Sequence, residues 1–424
     1  MLKYNKRYSS IKQNVSNGRD KSHPYMLYMK PPYSKNVLLT FLFVLLTLAT
    51  VHAQVIVGAE RTELYFDQLE GKKIVVCGNQ SSRVGDCHLV DTLVKSGFNV
   101  VAIFCPEHGF RGNAEAGAHI NSSVDEKTGI PIVSLYGKNK KPNLSQNSID
   151  LIIFDIQDVG CRFYTYISTL HYVMEAAAEN NVEVMILDRP NPNGYFVDGP
   201  VLDTNYRSFV GMHPIPVVHG MTIGEYGRMI NGEGWLANHV QCELQVVPMD
   251  NYDHTTRYEL PIAPSPNLQT PEAIYLYPSL CLFEGTHISI GRGTNIPFQI
   301  YGHPQLSAGD YYFTPRPIKG VSENPPQNGL KCRGYNLSNY ATANLQSSNS
   351  FNIQYLLDAY NHFPDKAKFF NANLFFDKLA GTNQLRKDII AGKSEKEIRA
   401  SWQAKLQEFK KIRQQYLLYP DFEE

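Results

Sequence analysis

The chain has 424 residues, 43% of them hydrophobic, which fits two or three globular domains with ample core. Its 40 basic and 40 acidic residues cancel, but residues 1–53 hold eight of the basic ones and a single acid, leaving 32 against 39, a net −7, on the remainder. A mildly acidic body excludes a nucleic-acid partner.

Residues 1–53 read as a leader. A basic stretch precedes an uncharged run of 15 residues, 37–51, and His52-Ala53 follows. The run is short for a transmembrane span and matches the apolar region of a secretory signal, with cleavage expected near Ala53–Gln54. The basic stretch is long for such a signal, so Met26 and Met29 are alternative starts. The mature chain is expected to be exported, periplasmic or secreted, with no stable membrane insertion. Seven scattered cysteines without a Cys-x-x-Cys indicate neither a zinc ribbon nor a disulfide framework. The 26 tyrosines suit stacking surfaces in a carbohydrate or peptide cleft.

Next, 61–68 patterns as a short helix, 73–77 as a buried strand and 88–95 as a helix closed by Gly97. Apolar strands follow at 98–105, 131–135, 150–155 and 182–187, with a helix over 166–179. This β-α-β alternation predicts an α/β domain, a doubly wound parallel sheet, over 54–205. No Gly-x-Gly-x-x-Gly follows the first strand, which disfavours a dinucleotide site, and no cofactor is expected. From Tyr206 the pattern changes. Pro214-Ile215-Pro216 and Ala263-Pro264-Ser265-Pro266-Asn267 flank a helix at 222–231, and turns become frequent, as in a smaller α+β domain over 206–424. Helices close the chain at 383–391 and 394–416. Ser394-Glu395-Lys396-Glu397 forms a capping box in the second, and Ile398, Trp402, Leu406, Phe409 and Arg413 mark its core face.

Four polar clusters follow predicted strands: Asn79-Gln80, Glu107-His108 with Arg111, Asp155 to Gly160, and Asp188 to Gly194. In a parallel sheet all four gather at one edge, where ligands bind in open α/β folds. Asp155 and Asp188 have a second reading as caps of the segments that follow. His88 and Asp91 with Glu107 and His108 are the conceivable metal ligands, but no third spaced histidine supports them, and no metal is expected. Gly291-Arg292-Gly293-Thr294, after Gly285-Thr286, suits an anion held by Arg292, or a hairpin turn. A serine nucleophile is unsupported, since neither Gly-x-Ser-x-Gly nor Ser-x-x-Lys occurs.

Several of these stretches resemble the signatures of the NamZ-type exo-β-N-acetylmuramidases, formerly the DUF1343 family. They are Cys105-Pro-Glu-His-Gly-Phe-Arg-Gly112, Asp155-Ile-Gln-Asp-Val-Gly-Cys-Arg-Phe-Tyr-Thr-Tyr166 and Asp188-Arg-Pro-Asn-Pro-Asn-Gly194. His219-Gly-Met-Thr-Ile-Gly-Glu225, Pro264-Ser-Pro-Asn-Leu268, Phe283-Glu-Gly-Thr286 and Gly291-Arg-Gly-Thr294 add to the match, as do Ser401-Trp402 and Tyr416-Leu-Leu-Tyr-Pro420. The resemblance runs in order from about Leu64 to Pro420. Cys105, Cys161, His287 and Gln269 depart from residues frequent in the family.

The resemblance implies a Rossmann-like domain joined to a smaller α/β domain that closes the active-site cleft. The implied reaction removes terminal N-acetylmuramic acid from the non-reducing end of peptidoglycan-derived disaccharides or muropeptides. Glycosidic cleavage needs an acid at the leaving oxygen and usually a second carboxylate. Glu107 is the expected acid, with His108 or Arg111 setting its pKa. Asp158 or Asp155 is the candidate partner, unless the substrate's own acetamido oxygen attacks. Arg292, Arg162 or Arg189 would clamp the lactyl carboxylate, and Tyr164 and Tyr166 would stack on sugar rings. Asn79, Gln80, Asp188, Asn191, His219 and Glu284 complete the expected binding set. Competing readings are a non-catalytic periplasmic sugar-binding protein and a metal-dependent peptidoglycan amidase or esterase.

Overall fold

A computed structural model describes residues 54–107, 109–111, 123–137, 139–144, 148–340 and 349–423. The expected leader, 1–53, and His108 lie outside the described residues.

Seven strands form the main sheet: β1 (Lys73–Gly78), β4 (Asn99–Cys105), β5 (Ser123–Val124), β6 (Pro131–Ser134), β7 (Leu151–Asp155), β8 (Glu183–Leu187) and β9 (Leu244–Val247). A two-stranded ribbon, β2 (Arg83–Val84) and β3 (Cys87–His88), sits between β1 and the first helix. The sheet order is β5-β6-β4-β1-β7-β8-β9, and every pairing is parallel except that of the edge strand β5. The two-residue strand period feeds two cores. Ile74, Val76, Ile103, Ile153 and Met185 pack on one face with Leu89, Val90 and Leu93 of α1 (Leu89–Lys95). Val75, Cys77, Ile152, Phe154 and Ile186 point to the other face, toward α2 (Tyr166–Asn180) and α3 (Ile223–Gly232). Strands buried on both sides read as continuous apolar runs, which is why they were visible without alternation.

Two details differ from expectation. Residues 61–68 wind as short 3₁₀ turns, with Leu64, Tyr65 and Gln68 each donating to the carbonyl three residues back. Tyr65 is fully buried and its hydroxyl donates to the Ala59 carbonyl at 2.9 Å, so side-chain anchoring overrides the helical pattern there. The parallel sheet also runs past the 205/206 division drawn from the change of pattern, because β9 pairs with β8 from Val184 to Leu187.

Beyond β9, among the described residues, come α4 (Pro271–Leu280), a small antiparallel sheet of β10 (Ile300–His303), β11 (Tyr311–Phe313) and β12 (Cys332–Asn336), a single helical turn at Ser338–Tyr340, and four longer helices. These are α5 (Gln354–His362), α6 (Phe375–Ala380), α7 (Gln384–Ile390) and α8 (Glu395–Arg413). Ser394 and Glu397 form the reciprocal cap of α8, and its buried face is Ile398, Trp402, Leu406, Phe409 and Arg413, as the periodicity predicts. The buried Arg413 guanidinium bridges the Gly220 carbonyl and the Asp421 carboxylate. A single apolar cluster runs from Phe154 through Leu276 and Phe283 to Trp402 and Leu406.

Candidate active site

Strands β4, β1, β7 and β8 are parallel neighbours, so the four polar clusters emerge side by side at their carboxyl ends. Gly78 registers with Asp155, and Cys77 with both Phe104 and Phe154. Over this edge lies a cavity of about 300 Å³. Glu107 and Tyr136 line it from strand ends, Thr165 from the start of α2, Ser265 and Asn267 from the proline-rich segment, Glu284 from the 3₁₀ turn Cys281–Gly285 and Arg292 from the glycine turn after it. Rings of Phe163, Tyr164, Tyr166, Tyr277 and Phe298 form much of the wall, with Phe209 and Phe375 also lining it.

The Thr165 hydroxyl lies 3.4 Å from Glu107 Oε2. Tyr136 also hydrogen-bonds to Glu107, and burial, then the Glu107 charge, pushes its phenol above the ordinary range. Tyr164 and Tyr166 meet edge to face at 4.8 Å, and the Tyr166 hydroxyl donates to the Pro264 carbonyl. Arg292 Nε donates to Glu284 Oε1 at 2.7 Å, and Nη2 lies in ion-pair contact with the same oxygen at 2.6 Å.

Other expected site residues are engaged elsewhere. Asp155 is fully buried and accepts from Arg189 Nε and Nη2 at 2.5 and 2.9 Å. Burial raises its pKa and the Arg189 charge opposes that rise. Arg189 also donates to the Arg83 carbonyl, and neither member of the pair lines the Glu107 cavity. An acid and a clamp expected to act on substrate thus neutralise each other. Arg162 is fully buried and spends its guanidinium on the carbonyls of Pro200, Ile215 and Leu379. Arg111 forms a two-point ion pair with Asp125 and stacks on Phe110, away from the cavity.

Asp188 accepts from the backbone of Arg189 and Gly224 and from the hydroxyls of Thr222 and Tyr419. It anchors the start of α3 through Gly224 and Thr222, while Thr222 itself is the N-cap of that helix. Asn191 donates to the Met221 carbonyl and accepts from the Asn193 backbone. Gly160 abuts it at φ +75°, and a Cβ there would come within 2.2 Å of Asn191 Oδ1, so a side chain would part the two loops. Asn79 Oδ1 takes two bonds from Ser81, while Gln80 straps the edge to the carbonyls of Ala263 and Pro264. His219 accepts from the Met221 backbone, and burial lowers its pKa to about 3, so the ring is neutral. His88 caps α1 and bonds the Asn79 carbonyl, while Asp91 pairs with Lys127. No cluster of metal-binding side chains occurs among the described residues.

Asp158 is the subtler case. Its Oδ2 accepts from the Gly160 backbone at 2.7 Å and lies 3.8 Å from His219 Nε2. Its Oδ1 is buried without a hydrogen-bond partner among the described residues. It is close enough to Tyr164 and Tyr166 for its charge to raise their pKa values, yet it does not line the cavity. Burial pushes its pKa up to about 7. The unfolded chain releases this proton near the ordinary carboxylate range, so stability present at low pH is lost as pH rises toward about 7. Asp158→Asn is therefore expected to raise Tm at pH 8 and to change it little at pH 4. Equal shifts in thermal melts at both pH values would contradict this.

Sequence reasoning missed Tyr136, Thr165 and most of the aromatic wall. Tyr136 follows β6, a fifth parallel strand, so the strand-end rule extended by one strand finds it.

A parallel α/β sheet, carrying at its carboxyl edge an aromatic-walled cavity with two carboxylates, defines a sugar-handling α/β enzyme. The chain belongs to the NamZ exo-β-N-acetylmuramidase family. It matches the N-terminal model of that family over residues 74–272 and the C-terminal model over 275–419. It is 38% identical over 381 residues to the peptidoglycan β-N-acetylmuramidase NamZ of Bacillus subtilis, covering 84% of this chain and 89% of the relative. Crystal structures of two DUF1343 family proteins from Bacteroides fragilis share the fold. One has a TM-score of 0.81 at 50% identity, covering 87% of this chain and 100% of that one. The other has a TM-score of 0.72 at 30% identity, covering 86% and 99%.

Proposed function

We propose that Glu107 is the proton donor of this chain, an exo-acting glycoside hydrolase that releases terminal non-reducing β-linked N-acetylmuramic acid from peptidoglycan fragments. One observation carries the assignment. Of the four acids at the sheet edge considered for catalysis or binding, Glu107 alone lines the cavity. A carboxylic acid there meets the leaving oxygen of a sugar seated against the aromatic wall, and Thr165 and Tyr136 fix its orientation. The cavity is at the small end of ligand pockets, ~300–1,000 Å³, which suits capture of one terminal sugar. The remaining lining carboxylate, Glu284, is taken by Arg292. We therefore assign the second catalytic role to the substrate's own 2-acetamido oxygen.

The test follows products from glycan fragments that end in N-acetylmuramic acid. Stepwise appearance of the free sugar, slowed by about 10²- to 10⁴-fold in Glu107→Gln, is expected. Internal cleavage, or binding without turnover, overturns the reading.

Export is part of the proposal, supported by the uncharged run 37–51 behind a basic stretch. Cell fractionation is expected to find a shortened chain outside the cytoplasm, and a full-length cytosolic chain contradicts it.

A further inference from the structure

Resting on that reading, we propose that Arg292 selects N-acetylmuramic acid over N-acetylglucosamine by binding the lactyl carboxylate, and that Glu284 positions its guanidinium. The two sugars differ by that one anionic ether substituent, so discrimination requires a group that responds to its charge. Three arginines were candidates. Arg162 is fully buried with both terminal nitrogens on three backbone carbonyls, and Arg189 is committed to Asp155 and the Arg83 carbonyl. Arg292 is the one cation among the described residues that line the cavity.

Its setting is that of an anion receptor. Nε donates to Glu284 Oε1, Nη2 lies in ion-pair contact with the same oxygen, and the guanidinium carbon sits 5.0 Å from the centre of the Phe298 ring. One edge and one face are thereby fixed, and Nη1 has no acceptor among the described residues. The side chain keeps 20% of its surface exposed although it is packed deep in the protein. The following glycine, Gly293, holds φ at +78°, where an added Cβ would lie 2.5 Å from the Arg316 carbonyl. The turn carrying Arg292 is therefore tightly set against its neighbours.

The charges fit the same purpose. Glu284 and Arg292 cancel, and a ligand carboxylate can share the guanidinium through Nη1. A charge-assisted hydrogen bond of this kind is stronger than a neutral one. Without Arg292, the lactyl group would face the Glu284 carboxylate with nothing to offset the repulsion. N-acetylglucosamine lacks the carboxylate and is indifferent to the change.

The experiment measures calorimetric binding of free N-acetylmuramic acid and free N-acetylglucosamine to Glu107→Gln protein, with and without a second change at Arg292. Glu107→Gln alone is expected to prefer the muramic sugar by about 10- to 100-fold. Adding Arg292→Gln removes the preference and leaves the affinity for N-acetylglucosamine in place, and Arg292→Lys restores part of it. Equal weakening of both sugars, a preference that survives Arg292→Gln, or binding of neither sugar to the Glu107→Gln protein overturns the proposal. The two readings fail differently. Release of muramic acid from a disaccharide at an undiminished rate by the Glu107→Gln protein counts against the acid, whereas an unchanged binding preference counts against Arg292.

Discussion

Glu107→Gln is expected to slow release of N-acetylmuramic acid from its β-linked disaccharide by about 10²- to 10⁴-fold, the range a positioned general acid supplies. The amide keeps the shape of the side chain and can still meet Thr165 and Tyr136, but it has no proton to give the departing oxygen. The loss should therefore depend on the leaving group. A sugar alkoxide needs protonation as the bond breaks, whereas a nitrophenolate with a low pKa leaves without it. The variant should retain far more activity on a dinitrophenyl muraminide than on the disaccharide, with an unchanged thermal midpoint. Equal losses on both substrates would move Glu107 out of the acid role. Full activity on the disaccharide would remove it from the reaction.

Asp155→Ala is expected to act on the fold. Arg189 retains only 7% of its surface exposed, and removing Asp155 leaves its guanidinium without the two short bonds that offset burial. Breaking such a pair by deleting one partner typically costs about 3–5 kcal/mol. Denaturant midpoints should fall accordingly, and the double change Asp155→Ala with Arg189→Met should recover much of the loss, because the orphaned charge goes with the arginine. A catalytic Asp155 would behave in the opposite way, losing turnover at unchanged stability. Denaturant unfolding and kcat measured on the same preparations separate these outcomes.

The contrast between these acids shows what was legible in the chain. β1, β4, β7 and β8 could be read because strands covered on both faces are apolar at every position, and parallel order then places Asn79, Glu107, Asp155 and Asp188 on one edge. The face of α8 was equally plain, since Ile398, Trp402, Leu406 and Phe409 repeat at helical spacing. Which acid turns into the cavity was not legible, because partners distant in sequence decide it. Arg189, 34 residues on, claims Asp155, and Tyr419, 231 residues on, helps claim Asp188. Arg162 misled for a related reason. Its acceptors are backbone carbonyls of Pro200, Ile215 and Leu379, and no side-chain pattern advertises a carbonyl. Residues 61–68 failed locally, since a helical pattern does not reveal that Tyr65 will anchor on the Ala59 carbonyl.

The apolar cluster that runs from Phe154 to Leu406 has a bearing on how a sugar gets in and out. Sugar-capturing proteins built as two lobes on a hinge swallow their cargo by closing, and the hinge then governs release. Here the sheet side and the helical side of the cavity grow from one solid interior, and Gln80 stitches the rim to the proline-rich segment as well. Both walls are built on that shared interior. Altering which aglycones are accepted is then a matter of reshaping the rim, and substitutions deep in the seam would trade away the fold.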